Sequence, residues 1–296
     1  MRMHGKTRSP GFTLVELVIV IIITGIMAVI LARILQGPMR AYTAVEHRAD
    51  LVDILDTALQ RMTREIRLAL PYSIRADNPG GLQAVEFLRT LDGGRYRVQG
   101  ANRLKFNQSS GTFDVLNDLV NFGSVDTGSA SGDCISSAAD CLVVFNIGQP
   151  ADTVTAASLG ISANAYLGAS GSYEGNIATI SAAGINSMSF DNSDLSWDFG
   201  LESPLHRFHV VDTPVSFICS GDEINRYSDY TIAESQSSSP GGNQNLLIDQ
   251  VSSCDFQYTI PTLTRFGILS ILIEITESQS SETVSLMQQI QVTNIP

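Results

Sequence analysis

His206 and His209 stand three residues apart and are the chain's first candidates for metal or proton-transfer chemistry. An H-x-x-H pair can share a metal on one face of a helix. The surrounding Arg207-Phe208-His209-Val210-Val211 reads instead as a strand, where residues three apart point to opposite faces, so no metal site is expected. His47, between Glu46 and Arg48 on a helical stretch, reads as solvated. Asp191, Asn192, Asp194 and Asp198 offer oxygens of the kind calcium takes, but they miss EF-hand spacing and its closing glutamate, so a solvated acidic turn is expected. Trp197 and Phe199 beside them read as core or loop anchors. Gly168-Ala169-Ser170-Gly171 lacks the spacing of a nucleophile elbow, and no P-loop, H-E-x-x-H or dinucleotide fingerprint occurs. The sequence therefore points to no cofactor and to a protein that is not an enzyme.

Cys134, Cys141, Cys219 and Cys254 admit three disulfide pairings. Short loops favour Cys134–Cys141 with Cys219–Cys254, each flanking Ser/Gly/Asp-rich segments with few apolar residues to hold them. Neither pair has C-x-x-C spacing and no histidine lies close by, which argues against zinc. The alternatives left are disulfides, given an oxidising compartment, and free buried thiols.

Glu16 is the residue whose position most needs a reason. It stands near the start of an apolar run, Phe12 to Ala32, with no charged residue from Leu17 to Ala32. As a helix rising ~1.5 Å per residue this run covers about 30 Å, one hydrocarbon thickness. A carboxylate held near mid-membrane costs up to ~3 kcal/mol and should have a partner. Arg2, Lys6 and Arg8 precede the run, so the positive-inside rule puts that end in the cytoplasm and exports everything after Arg33. The run ends in Leu31-Ala32-Arg33-Ile34-Leu35, which offers no A-x-A-like signal-peptidase site. A plain signal anchor fits the length and charge but leaves Glu16 unexplained.

Gly11-Phe12-Thr13-Leu14-Val15-Glu16-Leu17 resembles the cleavage and methylation signature of type IV prepilins and type II secretion pseudopilins. The resemblance implies that a prepilin peptidase cuts between Gly11 and Phe12 on the cytoplasmic side of the inner membrane and methylates the new amine of Phe12. It implies further that Glu16, then fifth in the mature chain, meets the charged N-terminus of a neighbouring pilin in the filament core. Such a pair recovers in low dielectric much of what each ion loses in desolvation, and removing one partner strands the other. It would fix subunit register.

The 296 residues carry a net charge of −12, and from Ala76 onward 24 acidic residues face 8 basic ones. An acidic body repels phosphates, so no nucleic-acid partner is expected. After the membrane run, Gly37-Pro38 should break or kink the helix and leave a flexible joint. Tyr42, Val45, Ala49, Val52, Leu55, Leu59, Met62, Ile66 and Ala69 then recur every three or four residues, predicting an amphipathic helix that lays this stripe on a sheet and stops at Pro71. Beyond Tyr72 the period becomes two. Strands are expected at Ala84–Thr90, Tyr96–Val98, Arg103–Phe106, Leu142–Ile147, Asn176–Ile180, Asn186–Phe190, Arg207–Val211, Val215–Cys219, Tyr227–Ile232 and Phe256–Ile260, with a terminal hairpin of Ile268–Thr276 and Thr283–Thr293. Gly123–Gly132, Gly168–Gly175 and Ser235–Asn245 read as loops. The expected fold class is α+β, a long N-terminal helix packed on a β-rich head of mostly antiparallel sheet, the type IV pilin fold. Its parts are a leader (1–11), a transmembrane and filament-core helix (12–36), an amphipathic stalk helix packing on the head (37–70) and a periplasmic head (71–296).

Three head segments extend the resemblance: Arg207 to Cys219 with Ile224-Asn225-Arg226-Tyr227, the ending Val284 to Pro296, and Ala69-Leu70-Pro71-Tyr72-Ser73-Ile74-Arg75. They are similar to MshO-type minor pilins of the mannose-sensitive haemagglutinin pilus, and J-type pseudopilins share a looser version. This implies a low-abundance subunit that primes assembly or sits at the tip, with major and minor pilins as partners. A head of over 200 residues is also bulky for a subunit repeated along a slender fibre. The alternatives are a J-type minor pseudopilin of a type II secretion system and a tip adhesin whose head binds a surface ligand of unknown identity.

Overall fold

The computed structural model of the chain describes residues 11–106, 108–130, 132–148, 164–166, 176–193, 202–260, 266–277 and 282–292. The leader residues 1–10, the Gly168-Ala169-Ser170-Gly171 loop and Asp194, Trp197, Asp198 and Phe199 lie outside them. The chain divides into two units, Met1–Leu51 and Val52–Pro296.

Helix α1 runs from Leu14 to Ile66. The break expected at Gly37-Pro38 is absent, since the helix continues through both residues. A mid-helix proline costs about 3 kcal/mol, but it removes one backbone bond from a helix of 53 residues. The apolar stripe is also shorter than its periodicity suggests. In the N-terminal unit Tyr42 and Val45 are each 70% exposed, whereas in the head unit Leu55, Ala58, Leu59, Met62 and Ile66 are buried. Val52 is on the exposed side. The helix ends five residues before Pro71, and the reason is competition from a strand: Thr90 N donates to Leu68 O at 2.7 Å and Leu70 N to Leu88 O at 2.7 Å. Those bonds take the backbone groups that another helical turn would need.

In the head, β1 (Arg75–Asp77), β2 (Ala84–Arg95), β3 (Ser110–Asp114), β4 (Cys141–Val144), β5 (Ile177–Gly184), β6 (Ser187–Asp191), β7 (Arg207–Ser220), β8 (Glu223–Ser228) and β9 (Asn243–Ile248) form one antiparallel sheet. Its main order is β1-β2-β7-β4-β5-β6-β3, and β8 branches from β7 to carry β9. A second sheet of β10 (Val251–Thr259), β11 (Gly267–Thr276) and β12 (Thr283–Val292) contains the expected terminal hairpin. The α+β class with an antiparallel head is therefore what the sequence pattern indicated.

The two strands expected at Arg207–Val211 and Val215–Cys219 are one strand. On one side β7 pairs with β2 along its length; on the other it pairs with β4 up to Val211 and with β8 from Val215. Pro214 sits at this fork. Its partner Leu88 donates to Ser73 Oγ at 3.2 Å and accepts from Leu70, so both Leu88 backbone groups point away from β7. Leu88 and Pro214 are thus a non-hydrogen-bonded pair, and the missing proline N–H faces the gap between β4 and β8, where no ladder bond is lost. Asp229 N fills part of that gap by donating to Thr213 Oγ1 at 2.7 Å.

Tyr96–Val98 contributes only a Tyr96–Val115 bridge and Arg103–Phe106 is unpaired, while β1, β3 and β9 were not expected. Ser110–Asp114 and Asn243–Ile248 are edge strands without apolar alternation, the second begun inside the expected loop. Their pairing comes from backbone rather than from an apolar pattern. Strand β4 is buried on both faces: Leu142 and Val144 join a core with Phe113, Phe190, Phe208 and Val210, while Cys141 and Val143 join one with Leu70, Leu88, Tyr166 and Val211.

Candidate functional site at the start of the helix

The helix start is built by Thr13. Its hydroxyl accepts from Glu16 N at 3.3 Å and its carbonyl from Leu17 N at 3.2 Å, satisfying two of the amides that a helix N-terminus leaves open. Gly11 and Phe12 precede this cap outside the helix, and both are exposed, Phe12 to 76%. The peptide bond between them is therefore accessible and free of regular structure, as a peptidase needs. A Cβ added at Gly11 would meet nothing within 4 Å. The chain's own packing places no demand for glycine there, so the demand, if the bond is cut, lies in whatever binds it.

Glu16 stands in the first turn, where the positive end of the helix dipole favours a carboxylate. An 18-residue window within Leu14–Gly37 has a mean hydropathy of 3.0, and none of that window is buried within the chain. The helix is long and apolar enough to cross a membrane. An acid at one end of an uncovered apolar rod can do two things: accept a cation from another molecule, and set how far that rod slides against its neighbours.

The other candidates separate. Cys134 pairs with Cys141 and Cys219 with Cys254, with Cα–Cα distances of 5.0 and 6.6 Å, which is the short-loop alternative. The first closes the loop before β4; the second joins β7 of the large sheet to β10 of the small one. His206 precedes β7 with a positive φ of 57° and its ring lies 5.8 Å from that of Tyr96, so it is not a strand residue. His209 is in β7, and burial followed by the nearby Arg207 charge lowers its pKa to about 4. Among the described residues no three His, Cys, Asp or Glu side chains are grouped to hold a metal. Asn192 is buried and donates to Ile177 O at 3.1 Å, while Asp191 accepts from Ser193 N at 2.8 Å; both serve the turn.

Two polar clusters escaped the sequence reading because their members come from distant segments. Arg75 donates to Glu86 at 2.8 Å in the interior, to the carbonyls of Glu234 and Ala233 at 2.6 and 3.0 Å, and lies 3.9 Å over the Tyr166 ring. Desolvation raises the Glu86 pKa against the pull of Arg75. Asp140, held by Asp126 N at 3.1 Å, lies in a cleft with Asp126, Asp212 and Arg89. Burial, with the charges of Asp212 and Asp126 adding to it, lifts the Asp140 carboxyl to about 7.

No curated protein and no solved structure matches the chain. Residues 6–32 do match a family model, that of the prokaryotic N-terminal methylation motif. The match spans Gly11, Phe12, Glu16 and most of the uncovered apolar helix, and it marks the chain as type IV pilin-like or pseudopilin-like.

Proposed function

We propose that this chain is a minor pilin of a filament related to the mannose-sensitive haemagglutinin pilus, a structural subunit and not an enzyme. In this reading prepilin peptidase cuts after Gly11 and methylates Phe12. The helix holds the precursor in the inner membrane with its N-terminus cytoplasmic and its head periplasmic. The subunit then leaves the lipid by exchanging acyl chains for the helices of other pilins, and acts in initiation or at the tip. The observation that supports this most is the conjunction of the methylation motif with a 24-residue apolar stretch that no described residue of the chain covers. A helix without partners in its own fold has its stabilisation elsewhere, and lipid and like helices are the two apolar environments open to it. Glu16 supplies what a uniform apolar rod lacks, a single height at which a neighbouring ammonium is met.

Two measurements test the reading. Intact mass of the membrane-extracted protein should show a chain beginning at Phe12 with one added methyl group; a chain that keeps residues 1–11 in assembled filaments would overturn it. Glu16→Ala should leave that mass change in place and reduce recovery in sheared filaments by about tenfold or more, the scale set by stranding one ion of a low-dielectric pair. Normal recovery would remove the register role.

A further inference from the structure

Between Asp92 and Asp114 the chain holds no acidic residue and four cations, Arg95, Arg97, Arg103 and Lys105, in a head that is otherwise strongly acidic. Arg97 is paired with Asp114 at 3.1 Å. Arg103 and Lys105 are exposed and make no ion pair with any described residue. They are not on a loose loop. Leu104, between them, is 3% exposed in the core and its N–H donates to Arg97 O at 3.0 Å; Phe106 sets its ring 5.8 Å from that of Tyr96. The alternation of burial leaves the two cations on the solvent side of a chain whose apolar residues are anchored, with side chains about 7 Å apart along the backbone. They line a cleft of about 560 Å³ together with Gln108 and Glu202. An adjoining cavity of about 90 Å³ shares Arg103, Lys105 and Gln108 and adds Thr112.

We propose that this cleft binds a carboxylated saccharide. The volume is within the range of small-ligand sites, roughly 300–1,000 Å³. Arg103 offers a planar fork suited to a carboxylate and Lys105 a second point charge beside it. Gln108 and Thr112 donate to and accept from hydroxyls, and Glu202 accepts from hydroxyls while repelling a second anion. That last feature sets the ligand's chemistry: one carboxylate beside neutral hydroxyls, which is a uronic-type sugar. A nucleic acid is the poorer fit, because its affinity needs several phosphate contacts along a continuous track, and the chain beyond this patch is acidic. The inference is independent of which filament the subunit serves.

The test is calorimetric titration of the full-length, detergent-solubilised protein at low salt with a maltotriose bearing one terminal glucuronate in place of glucose, unmodified maltotriose as the neutral control, and a 12-nucleotide single strand. Saturable binding of the mono-uronate trisaccharide is expected, at least tenfold tighter than maltotriose. Joint Arg103→Gln and Lys105→Gln should weaken it at least tenfold with an unchanged Tm, since both residues are exposed. Absence of saturable binding of the mono-uronate trisaccharide, equal binding by the double variant, or tighter binding of the oligonucleotide through the same two residues would each overturn the proposal.

Discussion

The N-terminal unit and the head solve opposite problems. From Leu14 to Leu35 the helix exposes nearly every apolar side chain it has and hydrogen-bonds only to itself. The head turns its apolar residues inward, and where it buries charge, as at Arg75 and Glu86, it surrounds that charge with partners. One unit leaves its apolar surface open; the other buries a core of its own. The same residue type, a glutamate, therefore has opposite meanings in the two. Glu86 has its cation within the fold, and Glu16 has none among the described residues.

The strongest way to break this contrast is to remove both acids in turn. Glu86→Ala leaves Arg75 buried beside Tyr166 with two carbonyls and no counter-ion, and should cost about 3–5 kcal/mol of head stability by denaturant unfolding. Glu16→Ala should leave that same unfolding curve unchanged while abolishing most filament incorporation. Comparable destabilisation by both would show that the helix start is part of the head's fold.

The two disulfides sharpen the picture within the head. Cys219–Cys254 spans 35 residues and joins the two sheets, and its removal by paired Ser substitution should cost about 4 kcal/mol on the chain-entropy scale. Cys134–Cys141 spans 7 residues within one loop and should cost about 2.5 kcal/mol. A reversed order, measured by thermal or denaturant unfolding, would mean that the small sheet is held to the large one by packing alone.

The smallest effect is a pH dependence. The Asp140 carboxyl is raised to about 7 in the folded chain from an ordinary value of 3.8, so the folded state binds more protons between those two values and stability falls as pH rises through that window. Asp140→Asn should raise Tm by a few degrees at pH 8 and by nothing measurable below pH 4. An equal gain at both pH values would place the effect in packing rather than ionisation.

How much of this was legible follows from how far apart the relevant residues are. Gly11, Phe12 and Glu16 lie within six positions, and the apolar run that gives them meaning is contiguous, so the sequence alone carried that site. The α+β class was legible because the apolar period changes from helical to two near Pro71, and the terminal hairpin because two long strand-like runs are joined by a polar turn. What was not legible depends on distant pairing. Pro214 fell between two expected strands, and since proline removes a donor, only the switch from β4 to β8 shows that no donor is needed there. Gly37-Pro38 looked like a helix break for the same reason, yet the turns on either side sustain the helix. Edge strands such as Ser110–Asp114 and Asn243–Ile248 have no apolar alternation to find, and the Asp140 cleft assembles carboxylates from segments far apart in the sequence.

The forked pairing of β7 makes that strand a shared spine. With β2 along one flank and two separate branches on the other, neither branch can peel off without exposing the same central backbone. Amides in β5 and in β8 should therefore exchange with solvent by one common opening, although they never touch. Such a head gives way all at once at a high threshold rather than fraying piecemeal.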